Sequence, residues 1–494
     1  MRINDFQIDD NIYLLSEPYH NTESQSENTY TVIIGKNGTG KSRLLSSVAE
    51  AFNKSQRNFT NHAVIKNKKQ HVMTFENNGR NVKYLTGKGS KNQLIIERNS
   101  WVKNNSPSRV IAASTSPFDK FPTLSDRKKS KSIKRNFYKY VGLKQGVNSL
   151  SDEHLINSFV QSMLSTNSSL SVSKTLNALG FQDYIKVSFN HDLRKRYANR
   201  DKEKFKDYAT WLADDDYIHY AARTINNESL NHQILNSLAF KAAVKAKVAF
   251  MNSNKSTSNF EDYVQHDLFF PFDNLPKTFT FGEQEKKEVR NAIKESVFNG
   301  LSQVTSIMLK RKDGMVFDIK DSSSGERSLL LLVCSIANEI RDNSLILIDE
   351  PELSLHPAWQ EEFISIISEV FNSYKGCHFI MATHSPLVIS QLKARHCFVV
   401  NMDENKTYKS DEFVNKSTDY QLAHLFKIPG ESNEYLKRLC LNLLTSLSKG
   451  EKLSKSLLKE SEILFEVESL ISDDDSIKEL IKIIKKGLEL SNDQ

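Results

Sequence analysis

Apolar and polar positions change texture several times along this chain. Near the start, FQI at Phe6–Ile8 and IYLLS at Ile12–Ser16 are short β-type stretches, and the polar run that follows reads as an exposed loop. TVIIG from Thr31 is β-branched and apolar, the pattern of a buried strand. RLLSSVAEAF from Arg43 is apolar at helical spacing. Residues 53 to 105 carry alternating stretches such as HVMTFENN and QLIIERN, which predict strands with exposed turns. Arg109–Phe121 begins as a buried strand and stops at Ser116-Pro117. From about 148 to 300 the period becomes helical, in SDEHLINSFVQSMLS, KFKDYATWLADDDYIHYAARTI and LNHQILNSLAFKAAVKAKVAFM, with Ser151 ahead of Glu153 and His154 as a capped start. No sustained heptad seam runs through it, so a packed helical insertion is expected rather than a coiled coil. Residues 302 to 320 predict a hairpin about a two-residue Asp313-Gly314 turn. The stretches LILID, FIMAT and HCFVV then read as strands, and the chain beyond about 405 as charged helices. The whole is α/β, with a lobe at 1–147, a helical insertion at 148–300, a second lobe at 301–405 and a helical C-terminal region at 406–494.

Composition narrows this only a little. The 494 residues are 38% hydrophobic and 26% charged, ordinary for a globular protein, and leave room for several domains. The formal net charge of +7 is compatible with nucleic-acid contact without pointing to it. RKKSKSIKR at Arg127–Arg135 is the sharpest basic cluster, either a phosphate-contacting segment or a solvated loop. The N-terminus lacks the apolar core of a signal peptide, and the longest apolar run, LLLLVCSIA from Leu329, is too short to span a bilayer. A cytoplasmic location without membrane contact is expected. Cys334, Cys377, Cys397 and Cys440 are scattered without paired spacing, as reduced structural thiols would be.

The chemistry begins at GKNGTGKS, Gly35–Ser42, between the strand at Thr31 and the helix that starts near Arg43. Strand, glycine-rich loop and helix are the setting of a phosphate-binding P-loop. Its glycines let backbone N–H groups converge on phosphate oxygens at a helix N-terminus. Gly35, Lys36, Asn37, Gly38, Thr39, Gly40, Lys41, Ser42 and Arg43 are the candidate nucleotide contacts, with Lys41 reaching the β/γ-phosphates and the Ser42 hydroxyl a ligand for Mg²⁺. SLILIDE ends a buried strand in two carboxylates, where Asp349 would hold Mg²⁺ and Glu350 would orient or deprotonate the attacking water. SSSGE at Ser322–Glu326 opens an apolar helix and forms a second anion cradle, naming Ser323, Ser324, Gly325 and Glu326. His384, in ATHSP at the end of another buried strand, could donate to a γ-phosphate. Ser114 and Ser116 at the end of the Arg109 strand are weaker candidates for polar ligands. Tyr13, Tyr19 and Tyr30 are candidates to stack on a base.

The order P-loop, SSSGE, LILIDEPE and THSP resembles the ABC-type ATPase heads of the RecF, SMC and OLD group. The family signature LSGGQ or LSGGE appears here with Ser322 for Leu and Ser324 for the first Gly. The Q-loop Gln has no evident counterpart, because the strand at 109 to 114 ends in Ser-Thr-Ser. LSLH at Leu353–His356 follows the Walker B strand, with His356 where transporter ATPases carry Asp. The resemblance implies a RecA-like ABC ATPase head with a mixed sheet. It also implies ATP and Mg²⁺ as ligands and a split site, in which the Ser323–Gly325 signature of one subunit closes on the nucleotide of another. At least a homodimer follows.

Within that group a transporter head does not fit, because far more chain separates Ser42 from Ser322 than a compact head has. The long SMC arms are missing, and the chain after His384 shows no Toprim, HNH or zinc nuclease pattern. Its one acidic run there, Asp473–Asp475, suits a helix start. IIGKNGTGKSRLL, SPFDKF and YVGLK from Tyr140 are similar to PtuA-type ATPases of bacterial anti-phage defence, found in Septu systems and some retrons beside an HNH nuclease. The resemblance implies a homo-oligomer that controls an HNH-type nuclease on another chain and meets nucleic acid through the complex. The alternative is a RecF/SMC-like DNA-repair ATPase that binds DNA directly.

Overall fold

A computed structural model describes residues 1–8, 11–17, 27–60, 71–77, 80–87, 90–96, 106–116, 118–122, 137–142, 156, 159–160, 162–163, 166–191, 264–270, 303–353, 355–390, 396–413, 416–449 and 455–492. The helical stretches expected at 204–225 and 230–251, the capped start at Ser151, the basic cluster at 127–135 and Tyr19 lie outside the described residues. The chain divides into two compact units, Met1–Gln145 with Ile340–Gln494, and Gly146–Glu339.

The first unit holds two of the three sheets formed by the described residues. In the order β16-β15-β3-β14-β13-β7-β8, the larger sheet joins Lys406–Lys409 (β16), Cys397–Asn401 (β15), Thr29–Ile34 (β3), His378–Ala382 (β14), Leu345–Asp349 (β13), Val110–Ser114 (β7) and Tyr138–Gly142 (β8). All neighbours are parallel except β15 and β16, so the sheet is mixed. β3, β13, β14 and β7 are buried along their whole length, which matches their continuous apolar runs. The smaller sheet is antiparallel, in the order β2-β1-β4-β5-β6, from Arg2–Ile8 (β1), Asn11–Leu14 (β2), His71–Asn77 (β4), Arg80–Gly87 (β5) and Ser90–Ile96 (β6).

Helix α1 (Lys41–Thr60) buries Leu44, Leu45, Val48, Ala49 and Phe52 in one core with Phe6 and Phe75 of the small sheet and Val110, Leu347 and Ile380 of the large one. Each fully buried large side chain of this kind contributes about 1.5–3 kcal/mol. A polar staple lies in the same core. Thr31 Oγ1 donates to Leu15 O at 2.7 Å, so it accepts from His378 Nε2 at 2.9 Å, and His378 Nδ1 accepts the Ile3 N–H at 3.0 Å. Those partners define a neutral Nε2–H imidazole. His378 is fully buried, and burial pushes its pKa well below the usual histidine value.

The C-terminal helices Glu434–Ser448, Lys455–Val467 and Ser476–Asn492 share their own core of Leu436, Leu439, Leu443, Leu464, Ile477, Ile481 and Ile484. Asp475 caps the last of them, accepting the Ile477 N–H at 3.0 Å, so the acidic run does mark a helix start.

Strands within residues 148–300 depart from the expectation of a helical insertion there. Thr166–Ala178 (α2) is helical, but Phe181–His191 (β9) and Val264–Phe270 (β10) are strands. They join Gln303–Arg311 (β11) and Val316–Asp318 (β12) in an antiparallel sheet of order β10-β9-β11-β12. Ile185 and Val187 are buried at a spacing of two, a strand period that the surrounding helical patterns obscured. The β11–β12 connection, Lys312 to Met315, has four residues rather than two. Arg311 N donates to Met315 O and Gly314 N to Arg311 O, with Gly314 at φ +95°. Helix α3 (Ser324–Ala337) buries Leu329, Leu330, Val333 and Ile336 and packs with α2, where Val172 and Leu176 are buried.

Candidate nucleotide site

The first unit brings the ends of β3, β14, β13 and β7 to one edge of the parallel sheet. β14 lies between the P-loop strand β3 and the acidic strand β13. Loops at the carboxyl ends of parallel strands are where α/β folds build their sites.

At β3 the chain turns through Gly35. A Cβ there would sit 2.9 Å from Thr39 Oγ1, so only glycine allows the loop to close this tightly. Thr39 Oγ1 donates to Lys36 O at 3.0 Å, and Gly40 at φ +100° leads into α1. Lys36, Asn37, Gly38 and Arg43 are exposed, Thr39, Gly40 and Ser42 half-buried, and Lys41 buried. The Lys41 ammonium donates to Gly35 O at 2.6 Å and Lys36 O at 3.1 Å, and meets His384 Nδ1 at 3.2 Å. Burial pulls its pKa below the ordinary lysine value, against the carboxylates of Asp403, Glu350, Glu352 and Asp349.

β13 delivers Asp349 to the start of α1. Ser42 Oγ donates to Asp349 Oδ1 at 3.1 Å, joining residues 307 apart in sequence. Asp349 is 2% exposed, and its carboxyl is pushed up to about 7, chiefly by burial; Glu350, Asp119 and Glu352 add to this and the Ser42 hydrogen bond opposes it. A buried carboxylate beside a hydroxyl is an oxygen-only donor pair crowded by negative charge, and it fits Mg²⁺. Among the described residues no group of three or more His, Cys, Asp or Glu could hold a metal, so a cage of side chains of the zinc kind is not built there. Mg²⁺ takes few protein ligands and completes its shell with water and phosphate oxygens.

Glu350 has φ +51°, a left-handed backbone that costs a non-glycine residue about 1–2 kcal/mol. Neighbouring strand ends hold it there. Glu350 N donates to Ala382 O at 2.9 Å, and Thr115 Oγ1 donates to Glu350 O at 2.9 Å. Strain held in place by surrounding structure is a mark of functional positions. His384 stands opposite, at the end of β14, with Nε2 3.9 Å from Glu350 Oε1. Burial and Lys41 lower its pKa, so the ring is neutral; Lys41 can only donate, so Nδ1 accepts and Nε2 carries the proton facing Glu350. Lys41, His384 and Glu350 thus form one polar line across the site.

The signature lies in the second unit. Ser323 caps α3 in a reciprocal box: its Oγ accepts the Glu326 N–H at 3.3 Å, and Glu326 Oε2 accepts the Ser323 N–H at 2.7 Å. Glu326 Oε1 takes Arg311 Nη2 at 2.9 Å, and that guanidinium also lies over the Phe181 and Phe317 rings. Glu326, expected at the nucleotide, is therefore buried with both oxygens engaged inside its own unit. Ser323 and Ser324 remain exposed, and Gly325 is buried.

Residues 30–390 match the family described as AAA domain, putative AbiEii toxin, Type IV TA system. The chain belongs to this family. With the family comes the enzyme class, an ATPase of the AAA type. Similar proteins include the Retron Vc95 probable ATPase of Vibrio cholerae serotype O1 biovar El Tor, 23% identical over 401 residues that cover 76% of this chain and 70% of that one. The Retron Ec83 probable ATPase of Escherichia coli is 23% identical over 158 residues, 28% of each chain. Among solved structures, the SMC head domain from Thermotoga maritima aligns over 82% of this chain and 97% of its own, at 12% identity and a TM-score of 0.30. At that score the likeness carries no argument, and the fold rests on the sheet order above.

Some residues of this AAA ATPase escaped the sequence. Glu352, the second Glu of DEPE, accepts the His384 N–H at 2.7 Å and so sets where the imidazole begins; the acidic repeat in the motif was its only signal. Gln360 ties the loop after β13 to Ser385, donating to Leu355 O at 3.0 Å and accepting Ser385 Oγ at 2.7 Å. His356 is the N-cap of Pro357–Val370, the place where Asp would also serve. Other candidates turn out structural. Ser114 Oγ accepts the Ser116 N–H at 3.0 Å and Ser116 Oγ the Phe118 N–H at 3.2 Å, so both shape the strand end. Asp119 accepts from Phe121 N and Tyr140 Oη, which joins the buried Asp119, Phe121 and Tyr140 in one bracket. Tyr13 and Tyr30 are core residues, Tyr30 stacked on Phe379 at 5.1 Å. No described helix is long and apolar enough to cross a membrane.

Proposed function

We propose that this ATPase works as a dimer or higher homo-oligomer that uses ATP to control a nuclease on another chain in a retron-type anti-phage complex. The observation that carries the nucleotide site is the Ser42–Asp349 hydrogen bond, which unites P-loop and acidic strand. The loop from Gly35 to Ser42 holds the phosphates through its backbone, and Lys41, seated on the Gly35 and Lys36 carbonyls, reaches them with its remaining donor capacity. Ser42 and Asp349 would hold Mg²⁺, which when bound screens the phosphate charge. Glu350 accepts the proton of the attacking water, and the His384 Nε2–H faces the same place. Ser323, Ser324 and Gly325 of a second copy close the site. The retron relatives support the defence setting, and an HNH-type nuclease of the PtuB kind is the partner proposed.

Glu350→Gln tests the chemistry. It should leave ATP affinity intact and lower hydrolysis about 10²–10⁴-fold, with phage protection lost. Unchanged hydrolysis would remove Glu350 from its role. Co-purification with a co-encoded nuclease tests the setting. If instead the isolated chain binds duplex DNA tightly, with strong salt dependence and DNA-stimulated hydrolysis, a repair ATPase is the better description.

A further inference from the structure

A carboxylate beside a phosphate loop is an electrostatic oddity, and Asp403 is one. It lies in the turn between β15 and β16. β15 runs parallel to β3 with Asn401 opposite Ile34, and Met402 N continues the ladder onto Ile34 O at 2.9 Å. That register carries the turn up to the first residues of the P-loop. A Cβ on Gly35 would lie 3.4 Å from Met402 Cβ and 3.5 Å from Asp403 Oδ1. Asp403 Oδ2 accepts the Lys36 N–H at 2.9 Å.

The bond matters because of which peptide it holds. The Lys36 N–H and the Gly35 carbonyl belong to one planar unit and point in opposite directions. The carbonyl takes the Lys41 ammonium at 2.6 Å while the N–H is held by Asp403. Rotating that peptide would break both contacts at once. The turn itself is braced from below. Asn401, buried, accepts from Asp403 N at 2.9 Å and donates to Leu425 O at 2.8 Å. Glu404 pairs with Lys427 at 3.4 Å, and Lys427 with Glu466 of the C-terminal helices at 2.6 Å.

We propose that Asp403 is a positioning residue for the phosphate loop, fixing the Gly35–Lys36 peptide so that its carbonyl presents Lys41 to the nucleotide. It touches no phosphate and acts through the peptide. This rests on the assignment of Gly35–Ser42 as the nucleotide site.

The test measures affinity of the full chain for a non-hydrolysable ATP analogue with Mg²⁺, in wild type and in Asp403→Ala, Asp403→Asn and Lys41→Ala. Asp403→Ala should weaken binding about tenfold, because the free Gly35–Lys36 peptide loses the acceptor that holds it in the binding orientation. Asp403→Asn keeps a side-chain oxygen acceptor and should bind within about twofold of wild type. Deleting negative charge near phosphate would by itself tighten binding, so tighter binding in both variants overturns the proposal. So does equal weakening in both, or wild-type affinity in Asp403→Ala while Lys41→Ala loses binding. If Lys41→Ala also binds normally, the nucleotide site was misplaced and the proposal falls with it.

Discussion

Two helices of this protein begin with serine and glycine, and they are built in opposite ways. The start of α3 is self-contained. Ser323 and Glu326 satisfy each other's backbone N–H groups within four residues, and Arg311 closes the far side of Glu326. The start of α1 depends on distant chain. Asp349 meets Ser42 from β13, His384 meets Lys41 from β14, and Asp403 holds Lys36 from the β15–β16 turn. A locally capped helix presents a fixed face, here the exposed Ser323 and Ser324. A helix start assembled from four strand ends can register what happens at each of them. That difference is what the proposed split site would require, with the first closing a site that the second contains.

The contrast can be broken at several points. Lys41→Ala should reduce ATP affinity about a hundredfold or more, since a buried ammonium that reaches the phosphates is removed; equilibrium binding measures it, with no matching loss of stability in the second unit. Glu326→Ala should do the reverse. It removes a capping box and leaves Arg311 without its carboxylate, at about 1–2 kcal/mol in denaturant unfolding, with nucleotide affinity unchanged. A loss of affinity there would put Glu326 at the nucleotide after all. The smallest effect expected is with pH. His378 is held neutral in the fold with its pKa depressed, so its contribution is complete above about pH 6.5, where the unfolded residue is also neutral. It is lost as pH falls, at up to about 1.4 kcal/mol per pH unit, because the unfolded chain then binds the proton that the folded chain excludes. Hydrogen exchange at pH 7.5 and pH 5.5 should show β3 and β14 opening more at the lower pH while α3 keeps its protection. Equal response in both would end the contrast.

What could be read in advance follows the same division. Gly35–Ser42, Asp349 and Glu350 with their strand, and His384 were legible because each sits in a short segment whose chemistry and flanks agree. The buried strands β3, β13 and β14 followed from their continuous apolar runs, and the mixed sheet from the family resemblance. Long-range facts were not legible. Asp403 carries no motif, and it reaches Lys36 only because β15 lies beside β3. His378 looks like any strand histidine until Thr31 and Ile3 are brought to it. The left-handed backbone at Glu350 arises from contacts with Ala382 and Thr115. β9 was misread because the helical stretches around it dominate the count of apolar positions, although Ile185 and Val187 alternate as a strand requires.

The central claim is that each phosphate loop is completed by the signature of another chain. Mixing two inactive variants tests it most directly. Lys41→Ala removes one half of every site, and Ser324→Arg blocks the other; each alone should hydrolyse no ATP above background. In a mixed dimer both defects fall in one site and the other site is intact. Equal mixing with subunit exchange should then recover about a quarter of wild-type hydrolysis per chain, half the dimers being mixed and half their sites whole. No recovery, with exchange confirmed, or full activity of Ser324→Arg alone, would contradict it.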